Sequence, residues 1–172
     1  PIHRPEDFKG QKIRIMPSPV IREQFKALGA SPVPIDFSEL YNALQQGVVD
    51  GQENPLVGIV PLKLYEVQKY ITMSNHAWLG YALMANSRFL DTLPEKYQQL
   101  ITKTAKDSAA FEIELVNRKN RKYMETIKKS GMSVIEVTPE QSAAFQSAVQ
   151  PVYDWFSKNV KDGDRYLKLI QR

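Results

Sequence analysis

The 172-residue chain contains no cysteine and only two histidines. The first absence removes disulfides, thiolate metal sites and cysteine nucleophiles together, and it leaves the redox compartment open. His3 and His76 form no metal-ligand spacing with each other or with a nearby carboxylate pair. Neither a Gly-x-Gly-x-x-Gly nor a phosphate-loop sequence is present, so a nucleotide cofactor has no support, and Ser18, Ser38 and Ser74 lack the Gly-x-Ser-x-Gly elbow of a serine hydrolase. No catalytic residue, metal or cofactor is therefore assigned. Runs of ~18 apolar residues are missing too, so no segment reads as a bilayer span. The opening Pro1-Ile2-His3-Arg4-Pro5 is not a signal peptide; it reads as a linker in the middle of a longer protein.

What is present describes an ordinary globular chain, with 42% hydrophobic and 24% charged residues, able to bury a core. The net charge of +4 invites a nucleic-acid reading. However, the whole excess lies between Lys103 and Lys129, where eight cations face Asp107, Glu112, Glu114 and Glu125. That stretch is helical in pattern and lacks clustered glycines or stacking aromatics. It reads as a solvated helix face, and no nucleic acid is expected.

Periodicity predicts alternating strands and helices. Lys12–Met16 alternates polar and apolar residues and stops at Pro17; Ser18-Pro19 opens a helix that Gly29 ends. Ser31–Ile35 reads as a second extended segment, and Asp36 or Ser38 caps a helix carrying Leu40, Tyr41 and Leu44. Val48–Asp50 reads as a strand ending in the polar turn Gly51–Pro55, followed by a helix from Pro55 to about Val67. Gln68–Met73 and Ala77–Ala85 read as two further strands. From Pro94, more than 30 residues run without proline or glycine to Ser130-Gly131, predicting one very long helix or two nearly collinear ones. Met132–Val137 is a last strand, and Thr138-Pro139-Glu140 begins the C-terminal helices. The rhythm predicts an α/β fold with a parallel or mixed sheet covered by helices.

In open α/β sheets, ligands gather beyond the carboxyl ends of strands. Arg14 lies near such an end, with Ile13 and Ile15 pointing to the opposite face. Its guanidinium matches a carboxylate through two parallel charge-assisted hydrogen bonds, although a strand-end salt bridge is the commoner use. Asn54 offers a donor and an acceptor to a ligand, or a cap to the helix starting at Pro55. Phe37 and Trp78 are aromatics that wall a pocket or fill a core. His76 reads as structural, and Glu39 and Glu53 have mundane places in a helix turn and a loop.

Three blocks together resemble one family. Asp7-Phe8-Lys9-Gly10-Gln11-Lys12-Ile13-Arg14 comes first, then Ala27–Pro34 with Phe37–Gln45. Val49-Asp50-Gly51-Gln52-Glu53-Asn54-Pro55 with Leu64-Tyr65-Glu66-Val67-Gln68-Lys69 follows. In order and spacing they resemble the solute-binding proteins of tripartite ATP-independent periplasmic (TRAP) transporters, over essentially the whole chain. The resemblance implies a periplasmic-binding-protein-like clamp: a mixed sheet flanked by helices, a long bridging helix, and an N-terminal domain mostly absent from this chain. It divides the chain into an α/β ligand-binding unit at 1–93 with a hinge strand at its start, a bridging helix or helix pair at 94–130, and a last strand with C-terminal helices at 131–172.

The same resemblance implies periplasmic capture of a small organic carboxylate and its delivery to TRAP membrane subunits, with no enzymatic activity. It makes Arg14 the residue that pairs with the carboxylate, places Asn54 beside it, and puts Phe37 at the pocket. Trp78 falls in a region that varies with substrate. Two other readings stay open. One is an enzyme of related α/β fold acting on an organic acid, with Glu53 or His76 as base. The other is a unit that pairs with a second copy of itself, a homo-oligomer, through sheet edges or exposed apolar surface.

Overall fold

Proline and glycine set the limits of the first elements in the computed structural model, which describes residues 1–170. Strand β1, Lys12–Ile15, stops before Pro17. Helix α1, Pro19–Ala27, starts with proline in its first turn and with the Ser18 hydroxyl accepting the Ile21 N–H. The chain reverses at Gly29 (φ +83°), a left-handed conformation that a Cβ disfavours, and enters β2, Ser31–Pro34. After a single 3-10 turn at Phe37–Glu39 comes α2, Leu40–Gln45.

The next strand, β3, is Gly51–Gln52, directly after the expected Val48–Asp50 rather than over it. The Val48 N–H bonds back to the Ala43 carbonyl, so these residues bend instead, and Val49 plugs the core at 1% exposure. Asp50 then ties the bend to β1: its N–H donates to the Lys12 carbonyl, and its carboxylate accepts the Lys12 N–H at 2.7 Å.

The helix expected from Pro55 to Val67 is also shorter. Helix α3 spans only Leu56–Ile59, and a 3-10 turn follows at Leu64–Glu66. Pro61 explains the break, since it lacks an N–H and its ring collides with the carbonyl four residues earlier. Beyond it, Lys63 takes a left-handed conformation.

Strand β4, Tyr70–Met73, pairs in parallel with β5, Ser133–Glu136. Ala77–Ala85, expected as a strand, has no regular structure; Trp78, Tyr81, Leu83 and Met84 are each more than four-fifths exposed. A nearly unbroken apolar run made the segment strand-competent, but a strand also needs a partner, and among the described residues this one has none. Helix α4 is Ser87–Asp91. Helix α5 is a single 35-residue rod, Glu95–Lys129, about 50 Å long at 1.5 Å per residue. Helices α6 (Pro139–Ala148), α7 (Gln150–Asn159) and α8 (Gly163–Ile170) complete the chain. Gln171 and Arg172, the end of the expected 131–172 unit, lie outside the described residues.

The α/β class is as expected, with every strand pairing among the described residues parallel, in two small sheets ordered β2-β1-β3 and β4-β5. Central β1 is buried on both faces. Ile13 and Ile15 join Phe25, Leu28 and Ala30 in one core, and Phe8 packs edge-on to both Phe25 and Phe145. The second core gathers Leu40, Leu44, Val49, Ile59, Leu64 and Ile127. It joins α2 and α3 to the C-terminal end of α5, where Ile127 is that helix's buried residue.

Candidate functional site

In the order β2-β1-β3, the chain leaves β1 toward β2 on one side and returns to β3 on the other. The loops after β1 and β3 therefore diverge at the carboxyl ends of the strands, the usual ligand position in open α/β sheets. Arg14, paired in register with Gln52, sits at that reversal point.

Arg14 is 3% exposed. Its Nε donates to the Ile35 carbonyl at 2.8 Å, and its guanidinium carbon lies 5.9 Å from the centre of the half-exposed Phe37 ring, within cation–π range. Burial pulls its pKa down, while the charges of Glu53 and Asp36 push it back up. Yet no carboxylate comes within 4.0 Å of its nitrogens among the described residues. The cation is held by one carbonyl and a ring face, and its terminal nitrogens keep their capacity for an anion. A salt bridge at the strand end, the commoner use of such an arginine, is not formed.

Asn54 is oriented differently from a helix cap: no side-chain cap bond forms at the start of α3, and its Nδ2 donates to Gln52 Oε1 at 2.6 Å. Gly58 leaves room for this amide, since a Cβ there would sit 3.3 Å from Asn54 Oδ1. Gln52 and Gly58 thus support the site although sequence reasoning gave them no role. The polar turn that contains Gln52 was the available signal.

Glu53 lies between Arg14 and His76. Burial pushes its carboxyl pKa up and the Arg14 charge pulls it down. Its Oε2 is 4.0 Å from His76 Nε2, and His76 Nδ1 is 2.7 Å from the Ser74 hydroxyl. The imidazole stands edge-on to Phe25, and burial holds its pKa below the ordinary histidine value.

The structure therefore brings together Arg14, Phe37 and the Gln52–Asn54 turn, with His76 behind Glu53. Trp78 is 89% exposed, with its ring against Gly80. Hollows of about 530 Å³ along the start of α5 and about 230 Å³ between α1 and α7 lie apart from Arg14. Among the described residues no cluster of His, Cys, Asp and Glu could hold a metal, and no helix is long and apolar enough to cross a membrane.

Comparison with known proteins identifies the family. The sequence profile described as "Bacterial extracellular solute-binding protein, family 7" (DctP) matches residues 1–159. The C4-dicarboxylate-binding periplasmic protein DctP of Rhodobacter capsulatus is 38% identical over 161 residues, which are 93% of this chain and 48% of that protein. Among solved structures, a TRAP periplasmic solute-binding protein from Sulfurospirillum deleyianum with bound succinate is 40% identical, with a TM-score of 0.87 over 99% of this chain and 56% of that one. The ectoine-binding protein of the TeaABC TRAP transporter of Halomonas elongata is 36% identical, with a TM-score of 0.91 over 98% and 56%. This chain spans about half the length of these relatives. It belongs to the family 7 extracellular solute-binding proteins, the DctP-type binding proteins of TRAP transporters.

Proposed function

We propose that this chain supplies the carboxylate-anchoring side of a periplasmic solute-binding subunit, with Arg14 pairing to the ligand carboxylate and the loaded protein delivering it to TRAP membrane subunits. The observation that carries this reading is the state of Arg14: 3% exposed, fixed through Nε, and without a carboxylate within ion-pair distance among the described residues. A buried cation costs several kcal/mol to desolvate, and a partner is needed to recover that cost. An incoming carboxylate is such a partner, approaching at the carboxyl ends of the strands where the loops after β1 and β3 diverge.

Asn54, steadied by Gln52, offers its amide to the ligand's remaining oxygens, and Phe37 covers the guanidinium face. Together they hold one carboxylate in a fixed orientation. They do not choose among acids, which fits relatives described with succinate and with ectoine. Selection is assigned to variable surface, including the neighbourhood of Trp78. The reading also takes β1 as a hinge strand, 1–93 as the ligand-binding unit, and α5 as a brace between two lobes that close on the ligand. Closure then follows from tighter binding to the closed form.

The test is ligand-induced thermal stabilisation of a protein of the relatives' full length, screened with C4-dicarboxylates, uronates and ectoine. Wild type is expected to gain stability with at least one acid, and Arg14→Ala is expected to lose that gain. Full retention by Arg14→Ala excludes the anchoring role.

A further inference from the structure

We propose that Glu53 and His76 form a proton-controlled lever on the charge around Arg14, making the cleft more attractive to an anion as pH falls. Four ionisable groups meet here, each from a different loop or strand. Arg14 comes from β1, Asp36 follows β2, Glu53 follows β3 and His76 follows β4. Asp36 and Glu53 both act on Arg14, and the only ion-pair approach among these four in the described residues is His76 to Glu53 at 4.0 Å. From α1, Phe25 contributes only its ring, packed edge-on to the imidazole.

The backbone is bent to make this contact. Asn75 takes a left-handed conformation (φ +47°), which asparagine tolerates better than most side chains. That turn folds His76 back so that its Nδ1 meets the Ser74 hydroxyl at 2.7 Å and its Nε2 faces Glu53. With Ser74 donating to Nδ1, the neutral ring holds its proton on Nε2, toward the carboxylate. A second proton, taken up on Nδ1, makes the ring cationic, and the Ser74 hydroxyl rotates to accept from it.

The consequence follows from charge balance. With His76 neutral, Glu53 and Asp36 both offset Arg14. With His76 charged, Glu53 is shared between two cations, and more of Arg14's field is left for a ligand carboxylate. The arrangement responds in the range where histidine titrates, and partial desolvation moves that response to the acid side of the ordinary value. For the ligand, this consequence rests on Arg14 being the anchor. The coupling itself is measurable without any ligand.

The experiment is a nuclear magnetic resonance titration of the 172-residue chain from pH 8 to pH 4.5, following both histidine rings and the Arg14 Nε resonance. Only two histidines are present, so His76→Gln assigns them. The His76 midpoint is expected below the ordinary ~6.5, and the Arg14 Nε resonance is expected to move with that midpoint. Glu53→Gln should lower the His76 midpoint further, because it removes the anion that favours imidazolium. A stationary Arg14 resonance while His76 titrates overturns the proposal, as does an unmoved His76 midpoint in Glu53→Gln. If either variant fails to fold, the wild-type titration alone decides. Loss of ligand stabilisation in Arg14→Ala is a separate readout, so failure of the lever and failure of the anchor are distinguishable.

Discussion

Lys12–Met16 and Ala77–Ala85 both read as strands, and they have opposite fates in the fold. The first is hydrogen-bonded on both sides and has Ile13, Arg14 and Ile15 almost wholly buried. The second, richer in apolar residues, pairs with nothing among the described residues and exposes Trp78, Tyr81, Leu83 and Met84. Residue pattern shows only that a segment can be a strand. Whether it becomes one depends on a partner strand, and 77–85 takes none although β4 and β5 each keep an unpaired edge among the described residues. The difference extends to function, because a buried strand holds Arg14 rigidly at the reversal point, while Trp78 has no such support.

The sharpest way to break the comparison is to truncate the same kind of side chain in each region. Ile15→Ala empties a fully buried position and should cost about 2–5 kcal/mol of unfolding free energy, whereas Leu83→Ala should stay within about 0.5 kcal/mol. Denaturant titration of both variants checks this, and equal losses would show that 77–85 is packed in solution. Hydrogen exchange sharpens the same contrast: Arg14 and Ile15 amides are expected to be protected close to the global unfolding limit, and those of 78–84 to exchange freely.

A smaller effect is expected from pH. His76, depressed in the folded state, binds its proton more readily in the unfolded chain. Its stabilising contribution is therefore complete above the ordinary histidine value of about 6.5 and is lost as pH falls from there toward the folded midpoint. Glu53 has the opposite sign, since its raised value makes stability decline as pH climbs from the ordinary carboxylate range toward its folded midpoint. Melting temperatures of wild type and His76→Gln across pH 5 to 8 should diverge at the acid end. The smallest change is expected from Gly58→Ala: stability near wild type, and ligand affinity lowered about tenfold or less as Asn54 shifts by a few tenths of an ångström.

Much of this was legible in the residues themselves. Ser18-Pro19, Gly29, Pro94 and Ser130-Gly131 each stand where an element starts or stops, because caps and breakers act locally. Arg14 was legible as a candidate for the same reason, its neighbours on β1 being apolar on the opposite face. Pro61 was in plain view, yet a helix was expected to run through it. Register was not legible, because the bend at Val48–Asp50 depends on Asp50 reaching across 38 residues to Lys12. His76 was hidden in the same way, since nothing local says that the loop after β4 folds back onto the turn after β3.

The exposed segment also bears on assembly. If 77–85 stays uncovered, the 172-residue chain alone should bind acids weakly and self-associate, which calorimetry and light scattering would register.

The central claim is that Arg14 pairs with a carboxylate, and affinity for an acid against its neutral amide tests that pairing most directly. In a protein of the relatives' full length, calorimetry should show wild type preferring the acid by about a hundredfold or more, and Arg14→Ala should reduce that preference to roughly tenfold or less. An undiminished preference in Arg14→Ala would contradict the account.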